Sequence, residues 1–333
     1  MAESPGSYRH SEEPIGTIRQ VYDGQLFPDL QVNTFRNIDR LFATRTVKAG
    51  NAPFPLPAGE RRLQNFRFES RGNTYDLYDF MALNRVAGLL VVKDGEVAFE
   101  QYALGNDEHT RWMSMSVVKS IAATLVGVAI EDGFIDSLDD PLTRYLPQFA
   151  GSAYDGVSIR QLLQMASGAA WNETYTDPAS DRRAMLEAQI SQQPGAILEL
   201  MAGMESDASW WLDAPGGQEI GGSGLSATLR DYARFGLFML HNGEIDGESI
   251  LPPGWVQEAT TWPTIGGELV DYGYMWWLLD EGAYAAIGIF GQFIYVHPED
   301  NLVVAMWGAQ PKPVGKDAVD EYLFFNALAA ALR

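Results

Sequence analysis

The residue types best placed to do chemistry are Ser116 and Lys119, three apart in RWMSMSVVKSIAATLVGVAIEDG (111–133). On a helix, residues i and i+3 share a face about one turn apart, within reach of a side-chain hydrogen bond. Ser116 falls where the apolar run begins, so its hydroxyl faces the positive end of the helix dipole, which stabilises an alkoxide or a tetrahedral oxyanion. Lys119 lies inside the run. Desolvation there lowers the pKa of an ammonium group and leaves a neutral amine able to take the serine proton. The chemistry implied is nucleophilic acyl transfer. Both residues also have a plain structural use, because serine is a preferred helix N-cap and lysine can extend its head to water from an apolar surface. The tetrad occurs once, in a lysine-poor chain, directly after a hairpin and at the start of a long apolar helix, and that context favours the chemical use.

Other schemes do worse. GGSGL at 221–225 misses the G-x-S-x-G spacing of a nucleophile elbow, since position 225 is leucine. The chain has no cysteine, which removes thiol nucleophiles, thiolate metal sites and disulfides together. His10, His109, His241 and His297 are scattered, with no paired ligand spacing, so neither a metal nor another cofactor is expected. A formal charge of −21 opposes nucleic acid and anionic membrane surfaces, because any approach is repulsive before specific contacts form. The polar, acidic start MAESPGSYRHSEEP lacks the basic and apolar regions of a secretory signal, and a cytoplasmic location is expected. The expected partner is a small molecule.

The pair needs elements to position it. VAGLLVVKDGEVAFEQYALG, from Val86, consists of two β-rich runs around Asp94-Gly95, a strong hairpin signal. A helix is expected from about Ser116 to Glu131, stopped by Asp132-Gly133. Residues 1–60, rich in Pro, Gly and charge, are expected to form an irregular arm. The section from about 138 to 219 holds short amphipathic stretches such as SIRQLLQMASG and SDRRAMLEAQIS and is expected to be a helical insertion. LSATLRDYARFGLFMLHNG (225–243) has helical spacing. DYGYMWWLL, AYAAIGIF, GQFIYVHP and LVVAMWGA are expected strands, followed by a last helix over about 316–332. Strands joined by short turns are antiparallel. The expected fold is therefore α/β (α+β), one antiparallel sheet built from both chain ends (61–137 and 220–333), flanked by helices, with the all-helical insertion beside it.

The chain resembles the serine β-lactamase and penicillin-binding-protein superfamily, in its class C-like branch with family VIII carboxylesterases and 6-aminohexanoate-dimer hydrolases. The resemblance runs from about Gly16 to the C-terminus and is carried by SMSVVKS, LLQMASGAAWNETYTDP, GGSGLSATLRDYARFG, DYGYMWW and GIFGQFIYVHPEDNLVV. It implies a β-lactamase/transpeptidase-like fold with the active site between the sheet and the helical part. Ser116 would be the acylated nucleophile and Lys119 its proton acceptor. The third motif of the family falls on Ala286-Ile287-Gly288, where Gly288 would admit the substrate and the N–H of Ile289 would join that of Ser116 as the oxyanion hole. The missing cation at 286 argues against a β-lactam carboxylate as preferred substrate. Trp171, Tyr175, Trp276 and Phe290 would supply aromatic walls to the substrate site.

The second motif of the family, Tyr-x-Asn or Tyr-x-Ser, has no counterpart. Between Thr176 and Glu219 there is neither a tyrosine nor an asparagine, and QQPGAILELMAGMESDASWWLD looks like two ends of the family pattern joined together. The helical part is thus shortened, and Tyr175 is the substitute phenol expected from the resemblance. Two functions stay open: a serine hydrolase of small esters or amides working through an acyl-enzyme, or a catalytically impaired relative that binds a ligand or partner in the old cleft.

Overall fold

The computed structural model describes residues 8–59, 63–174, 177–191, 208–315 and 318–333. The chain opens with two helices, α1 (Ile18–Tyr22) and α2 (Pro28–Phe35), and a strand, β1 (Thr44–Val47). A hairpin of β2 (Val86–Lys93) and β3 (Glu96–Tyr102) leads through β4 (Trp112–Met113) into the long helix α3 (Val117–Glu131). The middle holds α4 (Ile159–Leu163), α5 (Asp181–Ser191), β5 (Ala208–Trp211), β6 (Leu225–Ala227) and α6 (Leu229–Leu240). Strands β7 (Trp277–Leu278), β8 (Tyr284–Gly288), β9 (Gln292–His297) and β10 (Leu302–Gly308) follow, and α7 (Glu321–Leu332) ends the chain.

Six strands make one antiparallel sheet in the order β7-β8-β9-β10-β2-β3, so the front hairpin and the back meander join where β10 pairs with β2. The front hairpin closes through Asp94 and Gly95, both left-handed (φ 54° and 79°), the conformation whose twist matches paired strands. Strand period then divides the core in two. On β10, Val303, Ala305 and Trp307 face α3 and α6, while Leu302, Val304 and Met306 face Phe324, Phe325 and Leu328 of α7. Helices therefore cover both faces, and this is why β2 and β10 are buried along their whole length.

Three expectations change. The stretch expected as an all-helical insertion, about 138–219, also holds the strand β5, which pairs with β1 and β6 in a second sheet instead of extending the first. The segment expected as an irregular arm contains α1, α2 and β1. Thr17 and Gln20 form a reciprocal cap at the start of α1, and Val32 and Phe35 are buried, so short local signals and a few core anchors outweigh the Pro and Gly content. DYGYMWWLL contributes only the two residues of β7 to the sheet, because Tyr272 bridges back to Trp277 and Met275 takes a left-handed φ of 61°. Among the described residues no helix is long and apolar enough to cross a membrane.

Candidate functional site

A second, smaller sheet, ordered β1-β5-β6-β4, delivers the chain to the start of α3. Ser114 follows β4. Its N–H donates to the Leu225 carbonyl at 2.7 Å and its Oγ accepts from the Leu225 N–H at 3.2 Å, so β6 holds the turn on both sides. Met115 is then forced to φ 44°, an uncommon and strained conformation for a residue with a long side chain. Ser116 emerges at the N-cap of α3, yet its side chain makes no capping bond. Its Oγ is hydrogen-bonded instead to Lys119 Nζ at 2.6 Å. The plain capping use of this serine is therefore not the one the fold adopts.

Burial is the main influence on Lys119 and pushes its amine below the ordinary lysine value. The carboxylate of Glu173 works in the opposite direction. Backbone of the 221–224 turn supplies part of the dry surroundings: a side chain at Gly222 would meet the Lys119 Cε at 4.0 Å. Ser120, the next residue of α3, donates to the Met275 carbonyl at 2.6 Å and ties that side of the helix to the approach to β7.

The end of β8 lies against the same turn. A β-carbon at Gly288 would come within 2.6 Å of the Ser114 carbonyl oxygen and 3.1 Å of the Met115 Cβ, so only a residue without one permits this approach. Ile289 follows, part-buried, where the β8–β9 hairpin begins to turn. Among the described residues, neither the Ser116 N–H nor the Ile289 N–H donates a hydrogen bond within the chain. The turn before α3 and the end of β8, which approach each other at Gly288, thus each carry an N–H that donates no hydrogen bond among the described residues.

The other expected site residues divide. Trp171 is 50% exposed and donates its indole N–H to the Glu173 carboxylate. Trp276 is not a wall of the site: it is 1% exposed, stacks on Phe235 and meets Tyr284 edge-on, which is the packing of a core residue. Phe290 is likewise 1% exposed and packs on Phe35 of α2, so its ring anchors the hairpin rather than lining a cleft. Tyr175 lies outside the described residues, as do residues 192–207 of the expected junction. No sequence signal marks Ser114 or Gly222 as neighbours of the pair. Their placement depends on β4 and β6, strands too short to show a period.

Comparisons with known proteins agree on one group. The family model described as Beta-lactamase matches residues 79–197 and 196–329. A 6-aminohexanoate-dimer hydrolase of Paenarthrobacter ureafaciens is 30% identical over 289 residues, covering 67% of this chain and 72% of that protein. A Bacillus anthracis structure named as a 6-aminohexanoate-dimer hydrolase superposes with a TM-score of 0.77 at 20% identity, covering 91% of this chain and 93% of that one. A family VIII carboxylesterase structure superposes with a TM-score of 0.50 at 16% identity, over 76% and 95% of the two chains. At those identities the superpositions show the fold, an antiparallel sheet with helices, as expected.

Proposed function

Because the chain belongs to the β-lactamase family within the serine β-lactamase and penicillin-binding-protein superfamily, we propose that it is a serine hydrolase that cleaves small esters or amides through an acyl-enzyme. The observation that carries this proposal is the 2.6 Å bond between Lys119 Nζ and Ser116 Oγ at the tip of α3, with the amine depressed by burial. The neutral amine takes the hydroxyl proton as Oγ attacks the carbonyl carbon. The N–H groups of Ser116 and Ile289 receive the oxyanion, an interaction typically worth ~3–4 kcal/mol of the barrier per donor. The leaving group departs with a proton, and water then releases the acid and restores Ser116.

The substrate class rests on two supports. Curated similarity is to a hydrolase of 6-aminohexanoate dimer, an amide. Position 286, where the superfamily pattern places a cation, is a fully buried alanine, which leaves no positive charge there to recognise a β-lactam carboxylate. A competing function, ligand binding without turnover, is favoured by the missing second-motif tyrosine.

Fluorophosphonate labelling separates the two. Wild type is expected to label, and Ser116→Ala and Lys119→Ala are not. Labelling that persists in Ser116→Ala would move the nucleophile elsewhere, and an unlabelled wild type would favour the binding module. A panel of p-nitrophenyl butyrate, aminohexanoate dimer and nitrocefin then ranks ester, amide and β-lactam turnover, with nitrocefin expected last.

A further inference from the structure

We propose that Ser114 is the positioning residue of the oxyanion hole: its hydroxyl holds the Met115 carbonyl and thereby sets the direction of the Ser116 N–H. The proposal rests on the serine-hydrolase function above and deepens it, because Ser114 lies before the Ser-x-x-Lys tetrad and acts only through its neighbour. The Met115 carbonyl and the Ser116 N–H belong to one peptide unit. That unit is planar and trans, so its two polar groups point in opposite directions, and whatever fixes one fixes the other.

Ser114 Oγ donates to the Met115 carbonyl at 3.0 Å, and the Val118 N–H donates to the same oxygen from α3 at 3.3 Å. Ser114 is 1% exposed, so water does not compete for the bond. Its Oγ also reaches the Ser223 carbonyl at 3.3 Å and accepts from the Leu225 N–H at 3.2 Å. The Tyr232 hydroxyl is a further hydrogen-bond neighbour of this side chain and gives its own proton to the Trp112 carbonyl at 2.9 Å. A serine hydroxyl has one proton to give. The Leu225 N–H pins the oxygen, and of the two carbonyls that compete for the proton the Met115 carbonyl is the nearer.

The turn needs such a restraint. Met115 sits at φ 44°, and strain of this kind persists only where the surroundings over-determine the backbone. The main-chain bonds of Ser114, to the Leu225 carbonyl at 2.7 Å and from the Val117 N–H at 3.3 Å, fix the chain before Met115. The Ser114 side chain carries that restraint across Met115 to the next peptide. Ser116 adds nothing of its own, because its side chain makes no capping bond and its N–H donates none among the described residues. With the Ser114 hydroxyl removed, the peptide is free to turn, and the N–H leaves the direction in which the oxyanion forms. The 2.6 Å bond between Lys119 Nζ and Ser116 Oγ is made by side chains and stays in place.

The test is a split between kcat and KM in the full-length protein. Ser114→Ala is expected to lower kcat on p-nitrophenyl butyrate about 10- to 10²-fold with KM within about threefold, the pattern of an interaction made only in the transition state. The ascending limb of kcat/KM against pH should stay where it is, since Lys119 keeps its bond to Ser116. Ser114→Thr retains the hydroxyl and should recover turnover to within a few-fold. Where its extra methyl group prevents folding, Ser114→Cys, a weaker donor, is expected between alanine and wild type. Thermal melting verifies the fold of each variant. A folded Ser114→Ala with wild-type kcat overturns the proposal and leaves Ser114 a purely structural role. So does a loss confined to KM, a displaced pH limb, or a folded threonine or cysteine variant as slow as alanine. Fluorophosphonate labelling of wild type distinguishes the levels: labelling together with any of those results sinks the positioning role alone, and no labelling sinks the hydrolase function with it.

Discussion

The Glu173 carboxylate opposes burial at Lys119, raising the amine's proton affinity that desolvation lowers. Glu173 is itself exposed, on the loop before α5, so the charge acts from solvent on a group that is not solvated. Glu173→Gln removes the opposing charge and should drop the amine further. The ascending limb of kcat/KM against pH, which follows formation of the neutral amine, is then expected to move to lower pH with the plateau unchanged. A limb displaced to higher pH, or unmoved at low ionic strength, would separate Glu173 from the base.

Keeping Lys119 in this position should destabilise the fold. Its folded-state pKa lies below the unfolded one, so the unfolded chain binds the extra proton between the two values and stability rises with pH across that window. Below the folded-state pKa the protein carries the charge in a dry site and the contribution is gone. Lys119→Met, similar in volume and uncharged, is expected to be inactive yet more stable at pH 7, by on the order of 1 kcal/mol. Urea melts at pH 7 and pH 10 check this, with the gap between variant and wild type narrowing as pH rises.

Trp276 provides the clearest test of core against cleft. Its ring is 1% exposed between Phe235 and Tyr284. Trp276→Ala should therefore lose ~3–5 kcal/mol of stability through the cavity left behind. KM for p-nitrophenyl butyrate, measured on the folded fraction, should stay within about twofold, since no substrate contact is lost. A tenfold rise in KM with an unchanged urea midpoint would return Trp276 to the substrate site.

What the sequence disclosed follows from how local each signal is. Asp94-Gly95, the apolar run of α3 and its Asp132-Gly133 stop are set within a few residues, and the structure realises all three. Ser116 and Lys119 lie within one helical turn, so their spacing alone brings them together. Ser114 and Leu225 are 111 residues apart, and nothing local links them. Trp276 and Phe290 show the converse limit. An aromatic side chain in a strand-like run has the same sequence pattern whether it faces a cleft or the core, and only packing distinguishes them. Residues 1–60 misled for a third reason: α1 is one turn long, too short for periodicity, and its cap at Thr17 and Gln20 was the only local evidence.

Gly288 joins the two halves of the candidate oxyanion hole, and its substitution tests their contact directly. The Ser114 carbonyl is main chain, pinned by the bonds of Ser114 to Leu225, and cannot move aside for a β-carbon 2.6 Å away. Gly288→Val must therefore push the end of β8 off the turn that carries Ser116. Crowding of this kind typically costs about 1–3 kcal/mol of stability. It should also displace the Ile289 N–H by a fraction of an ångström to an ångström, a misplacement that can lower turnover about 10²-fold. Ile289→Val changes only the side chain beyond the same N–H and is expected to keep turnover within a few-fold. Loss of kcat on p-nitrophenyl butyrate in Gly288→Val, with folding verified by thermal melting, together with its retention in Ile289→Val, would assign the hole to the main chain at this junction. If Gly288→Val folds and turns over like wild type, the second donor lies on another segment.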